Sequence, residues 1–213
     1  MEPRQPVPVF PLPNVVLFPH AIVPLHIFEL RYRTMVRDAL AGERLIALAL
    51  LKPGWEREYH GSPEFHALGC LARFEEVEWL PDDCYDLKLL GLSRVRLGAP
   101  VREYPYRSVR VVLLPEEPYS EDDAVVKSER HGLLELHRRL AGQPGRAPGE
   151  GGPGDDLPFA SLVNGVCMTA PLEAEERLEL LALDSVIERG HRARELAARR
   201  LRQGGAPGPG EHN

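Results

Sequence analysis

Little in this 213-residue chain carries a recognisable chemical signature. It has three cysteines, an odd number with no C-x-x-C pair, which argues against a disulfide framework and for reduced thiols in a cytoplasmic protein. Long hydrophobic runs are missing as well. The longest, LIALALL at Leu45–Leu51, falls far short of the ~20 residues a membrane helix needs. The opening MEPRQPVPVFPLPN is interrupted by prolines and lacks the layout of a secretion signal. No G-x-x-x-x-G-K-[ST] run is present, so no P-loop ATPase is expected. Positive charge does not dominate either: the net charge of −6 and pI near 5.8 argue against a dedicated nucleic-acid binder.

The groups that could do chemistry are not arranged for it. Gly91-Leu92-Ser93-Arg94-Val95 starts like a nucleophile elbow, but the second glycine is absent and a strand, not a strand-to-helix turn, surrounds it. His20/His26, His60/His66 and His131/His137 are each six apart, whereas a zinc-binding helix face needs i, i+4. Cys70 and Cys167 read as small core residues, and Cys84 as an exposed thiol at a turn. The carboxylates Glu75/Glu76/Glu78 and Glu116/Glu117/Asp122/Asp123 read as solvated faces, because an EF-hand's glycine-bearing loop is missing. No catalytic residue, metal site or cofactor is expected.

Local patterning divides the chain into a β-rich half and a helical half. Short β-type runs at Val7, Val9, Val15–Leu17 and Ile22–Phe28 are punctuated by Pro8, Pro11, Pro13, Pro19 and Pro24. Proline cannot donate to a ladder, which assigns these runs to edges, bends and strand ends. Tyr32, Met35, Val36, Ala39 and Leu40 repeat at helical spacing, with Gly42 as the stop. Leu45–Leu51 is a buried-type strand; Ala67–Trp79 and Tyr85–Leu97 flank a turn at Pro81-Asp82-Asp83; Tyr104–Leu114 is one more strand. Five or six short strands with one inserted helix suggest a small, strongly bent sheet of partial-barrel type, hence an α+β chain.

The pattern changes at Pro115. Ser120 and Asp123 open a helix whose apolar face is Val126, Leu133, Leu136 and Leu140. Residues 142–158, with six glycines and four prolines, read as a flexible loop. Helices follow at 159–169, 173–182 and 185–202, with Arg192, Arg194, Arg199, Arg200 and Arg202 gathered in the last. The expected organisation is a β-rich subdomain at 1–118, a helical subdomain at 119–203 and a disordered tail at 204–213.

Aromatic residues mark the candidate binding surface. KPGWEREYHGSPEFH, Lys52–His66, is a polar, turn-rich connection that carries Trp55, Tyr59 and Phe65. Such a loop either offers its aromatics as anchors or folds back to cover a sheet edge, and the covering role weighs more for Trp55 than for Tyr59. Tyr104 and Tyr106, next to Arg107 and Arg110, come nearest to an aromatic-basic stripe on one strand.

The motifs themselves resemble a known family. P-L-x-x-V-V-L-F-P at Pro11–Pro19, P-L-x-I-F-E-x-R-Y at Pro24–Tyr32, G-x-x-A-R-x-E-E-V at Gly69–Val77 and G-x-x-R-x-R-L at Gly91–Leu97 resemble the N-terminal, substrate-recognising domain of Lon ATP-dependent proteases. The resemblance covers about residues 7–203. It implies a PUA-like pseudo-barrel with one inserted helix, followed by a helical subdomain, and a non-catalytic module that engages unfolded or extended polypeptide, as an adaptor, chaperone-like factor or modulator of proteolysis. A protease or chaperone is the implied further partner, with no membrane role; homo-oligomerisation is left open. The alternative is a PUA-like RNA-binding module, an analogy of fold alone.

Lon itself continues into ATPase and protease modules that this sequence lacks, so the expectation is a stand-alone bacterial version. The resemblance implies bends at Pro11, Pro19 and Pro24, core positions for Phe28 and Tyr32, an i, i+4 pair of Glu29 with Arg33 and a structural Arg94. Relative to the family, 142–158 is an insertion and Asp83 replaces a turn glycine. Gly190 replaces a leucine, which implies looser packing in the last helix.

Overall fold

The computed structural model describes residues 3–58, 61–141 and 157–202. Residues 142–156 of the expected 142–158 loop, and the expected tail at 204–213, lie outside them. The elements in chain order are β1 (Val7–Leu12), β2 (Ile22–Ile27), α1 (Leu30–Ala41), β3 (Leu45–Leu51), a 3-10 turn (Trp55–Glu58), β4 (Phe65–Trp79), β5 (Tyr85–Arg102) and β6 (Ser108–Leu113). Then come α2 (Ala124–Ala141), α3 (Phe159–Thr169), α4 (Ala174–Ala182) and α5 (Val186–Arg202). The chain forms two compact units that divide between Pro115 and Glu116.

In the first unit the strands run β2-β5-β4-β3-β1-β6, and β6 returns to pair with β5, which closes five of the six into a ring. Closure depends on the length of β5. Its first part pairs with β2 and β4, and its second part with β4 and β6. Strands of 15 and 18 residues are longer than the sequence suggested, and bulges at Leu71/Ala72, Phe74/Glu76 and Leu97/Pro100 bend them instead of ending them. Inside the ring Val7, Val9, Leu45, Ala47, Leu71, Val95, Leu97 and Val109 form one buried cluster. Every residue of β3 is buried, as a central strand with both faces covered must be. Helix α1 buries Tyr32, Met35, Val36 and Ala39, and Tyr32 packs its ring 4.6 Å from Phe10 of β1.

The prolines behave in two ways. Pro24 lies on the edge strand β2, as expected. By contrast β1 is interior, between β3 and β6, despite Pro8 and Pro11. Val9 N donates to Arg107 O (2.8 Å), so by alternation the nitrogen of Pro11 faces the same side, past the last β1–β6 pair at Val7↔Val109 and Pro8↔Ser108. The nitrogen of Pro8 faces β3, whose ladder begins at Val9. Each missing donor falls just outside a ladder. Residues 15–17, expected as a strand, belong to none, although Val16, Leu17 and Phe18 are buried.

Turn chemistry accounts for three more departures. α1 ends at Gly42, whose amide reaches Asp38 O and Ala39 O, but the left-handed residue of the turn is Arg44 (φ 58°). Asp83 adopts φ 64° where a glycine would be easiest. Arg33 holds it there, donating to its carboxylate (2.7 Å) and its carbonyl (3.0 Å). Arg33 therefore serves Asp83, and Glu29 pairs with Arg31 (2.9 Å), so the expected Glu29–Arg33 pair does not form. Cys84 is buried in this turn, not exposed, and Phe28 is 58% exposed, not core. β6 begins only at Ser108, so Tyr104 precedes the strand.

In the helical unit, Val126, Leu133, Leu136 and Leu140 are all buried along α2. The helix starts at Ala124, with Asp123 Oδ1 accepting the Val125 amide (2.8 Å). Glu173 and Glu176 form a capping box at α4. Glu116 is no part of a solvated face: it accepts from the fully buried Arg189 at 2.6 Å. Arg189 also donates to Asn164 Oδ1 (2.8 Å), Leu183 O (2.7 Å) and Leu180 O (3.2 Å). Gly190 tightens packing instead of loosening it. A Cβ there would sit 3.0 Å from Val163 and 3.3 Å from Leu133, so α5 approaches α3 and α2 closely. Burial pushes the Cys167 thiol up to about 12.

Two glycines give opposite expectations. A Cβ on Gly91 would lie 2.1 Å from the Phe18 carbonyl oxygen, a backbone atom that cannot step aside. Gly91→Ala should destabilise by about 3 kcal/mol or more. Gly165, inside α3, has open space around the same position, so Gly165→Ala should stabilise by about 0.5–1 kcal/mol. Urea midpoints should therefore move in opposite directions, and a Gly91→Ala midpoint that rose or a Gly165→Ala midpoint that fell would contradict the respective reading.

Candidate functional site: a tyrosine-lined cleft

The start of α1 and the segment between β5 and β6 flank a cleft of about 530 Å³. Leu30, Arg31, Tyr32 and Thr34 supply one wall, residues 103–107 the other, with Val9 and Pro11 of β1 and Gly61 and Ser62 completing the lining. Two large apolar side chains stand at its mouth: Leu30 is 65% and Tyr104 86% exposed. Such side chains leave water only on meeting a partner, the usual mark of a recognition surface.

Beneath them the walls are braced. Arg31 donates to Glu29 (2.9 Å) and to the Gly61 carbonyl (3.1 Å), and its guanidinium lies 4.6 Å from the Tyr32 ring centre. Arg107 donates to Pro63 O (2.7 Å) and stacks over Phe65 at 4.4 Å, where burial lowers its pKa. Tyr106 is buried, its hydroxyl donating to Asp38 Oδ2 at 2.5 Å, with Arg102 stacked 3.9 Å over its ring. The cleft thus pairs a hydrogen-bonded polar frame with an exposed apolar rim.

The residues singled out by sequence scatter across this region. Tyr104 and Tyr106 both line the cleft, Tyr104 as the exposed rim and Tyr106 as buried wall. Phe65 lies outside the lining, half-buried against the ring's core and under Arg107. Trp55 is half-buried in the 3-10 turn, away from the cleft lining, and Tyr59 lies outside the described residues. Sequence reasoning missed Leu30 and Arg31. The available signal was that Leu30 falls outside the helical repeat Tyr32–Met35–Val36–Ala39 and so had no core to face. Among the described residues no group of three His, Cys, Asp or Glu is placed to hold a metal ion, and Ser93 Oγ donates to the Arg94 carbonyl (3.2 Å). No helix among them is long and apolar enough to cross a membrane.

A ring of mixed strands with a helix on its wall and an apolar-rimmed cleft, followed in the chain by a four-helix unit, defines an α+β protein. The chain belongs to the family of the ATP-dependent protease La (LON) substrate-binding domain, which matches residues 6–199. Lon protease 2 of Herpetosiphon aurantiacus is 28% identical over 190 residues, covering 85% of this chain and 22% of that protein. Lon protease of Desulfosudis oleivorans is 32% identical over 100 residues, 47% of this chain and 12% of the relative. This chain spans about a fifth or less of the length of these relatives. Among solved structures, the Lon N-terminal domain protein from Xanthomonas campestris superposes with a TM-score of 0.62 at 26% identity, over 87% of this chain and 94% of that one. The N-terminal domain of the Mycobacterium avium complex Lon protease shares the fold, with a TM-score of 0.67 at 19% identity over 91% and 98% of the two chains.

The Tyr106 phenol makes the cleft wall sensitive to alkali. Burial first, and the hydrogen bond to Asp38 second, raise its pKa above the ordinary value of about 10. The neutral form is favoured in the folded state, so its stabilisation is complete below the unfolded pKa and is lost as pH rises through the raised one. Tyr106→Phe should cost about 1 kcal/mol at neutral pH. The difference from wild type should shrink in strongly alkaline buffer; a gap that widens there would reverse the assignment.

Proposed function

We propose that the chain is a non-catalytic polypeptide-recognition domain that takes extended or unfolded segments into the cleft between α1 and residues 103–107. The carrying observation is the juxtaposition of Leu30 and Tyr104, both largely exposed, over a braced polar frame. An extended segment would set apolar side chains against these two and leave its backbone to the polar groups of the walls. Membership of a family defined by substrate binding supports the same reading, and the named relatives are proteases. On this reading the domain serves proteolysis by holding a substrate, as an adaptor or a chaperone-like factor, and needs no cofactor. The aromatic-basic stripe that an RNA-binding role would use does not form, since Tyr106 is buried and Arg107 is engaged with Pro63 and Phe65.

Fluorescence anisotropy of a labelled peptide with alternating Leu and Phe tests this. Tyr104→Ala should weaken binding roughly tenfold, the loss of one aromatic anchor, with no shift in Tm because the side chain is exposed. Leu30→Ser should act in the same direction. If Trp55→Ala weakens binding while both cleft variants bind normally, the site lies on the Lys52–His66 connection and the cleft assignment fails.

A further inference from the structure

The helical unit carries a second surface of different chemistry. A groove of about 940 Å³ runs between α2 and α5. Its floor is apolar, with Leu136 and Leu196 nearly buried and Leu201 half-buried. Its rim is arginine: Arg139, Arg192, Arg194, Arg199 and Arg202, against Glu135 and Glu195 in the lining and Glu129 beside Arg194, an excess of two positive charges on a chain whose net charge is −6.

The glutamates do not neutralise this rim evenly. Arg139 pairs with Glu135 (3.0 Å), Arg192 with Glu195 (3.1 Å) and Arg194 with Glu129 (3.3 Å). Arg199 and Arg202 are exposed and form no ion pair among the described residues. They occupy the last turn of α5, whose dipole supplies roughly half a negative charge, well short of two guanidinium groups. The surplus is therefore available to a partner. Gly132 makes room for the Arg194 guanidinium, which lies across α2 where a Cβ would collide with it.

We propose that this groove binds an acidic polypeptide segment whose carboxylates meet Arg199 and Arg202 and whose apolar side chains meet Leu136, Leu196 and Leu201. Carboxylates match the planar fork of arginine bidentately, and apolar residues between them match the floor. Nucleic acid fits less well. Glu135 and Glu195 in the lining would repel a phosphodiester chain, and no aromatic side chain lines the groove for a base to stack on. Among the described residues the surface is built from α2 and α5 alone, so it stands or falls independently of the tyrosine cleft.

The test is anisotropy of a labelled peptide of alternating Glu and Leu, titrated with the full chain at low salt. Saturable binding should weaken about tenfold in Arg199→Glu/Arg202→Glu, less in Arg199→Gln/Arg202→Gln, and progressively as salt rises. It should be indifferent to Tyr104→Ala, which separates it from the cleft. Circular dichroism monitors α5, and the glutamine pair carries the test should the glutamate pair lose helix. The proposal is overturned if the peptide fails to bind, if both arginine variants bind like wild type, or if oligouridylate of matched charge binds more tightly through the same arginines.

Discussion

A guanidinium withdrawn from water must be met by acceptors, and each unit of this chain is organised around one. Arg189 is fully buried, and its four acceptors come from α3, the α4 C-terminus and the chain leading into α2. Its bonds to the carbonyls of Leu180 and Leu183 fall at the C-terminal end of α4, so the same cation caps a helix and pairs with Glu116. Apolar residues of similar volume could fill that space, but they could not hold three separate segments in one register. In the ring, Arg94 is 1% exposed, donates to Pro115 O (2.7 Å) and accepts the Leu114 amide at its own carbonyl. It ties the end of β6 to β5 where the first unit stops.

Ring closure sets the second constraint. A closed five-stranded ring brings backbone against backbone, and Gly69 and Gly91 stand where the approach leaves no room for a side chain: a Cβ at Gly69 would meet the Leu48 oxygen at 2.3 Å. The segment linking β5 to β6 must then turn sharply outside the ring. Residues 103–107 make that turn over the start of α1, and the cleft is the space between them. Tyr104 projects because the turn carries it away from the ladder, whereas Tyr106, two residues on, is drawn back under Arg102 to Asp38. The cleft is thus a by-product of how the ring closes.

This explains which features were legible in the sequence. β3, α1 and α3 could be read because their burial is a local property: seven apolar residues in succession, or a helical repeat, suffice. The four apolar-face positions on α2, spaced by whole helical turns, were legible for the same reason. The interior place of β1 was not legible, since proline excludes a residue from a central ladder only if its nitrogen faces a paired partner, and that depends on the register with β3 and β6. The exposure of Phe28, expected in the core, was not legible because exposure depends on which neighbours the fold withholds. Arg33's service to Asp83, fifty residues away, is likewise invisible in any local pattern.

The two candidate surfaces differ in what limits them. The cleft offers apolar contact, which is non-directional, tolerant of sequence and little screened by salt. The arginine groove depends on charge, which selects for composition and weakens with ionic strength. On a chain with a net charge of −6, an acidic segment is repelled at long range, and only a local excess of arginine can reverse that at close approach. Discrimination would then come from the groove and grip from the cleft, each on its own compact unit. Neither has to sacrifice the rigidity that its buried arginine provides.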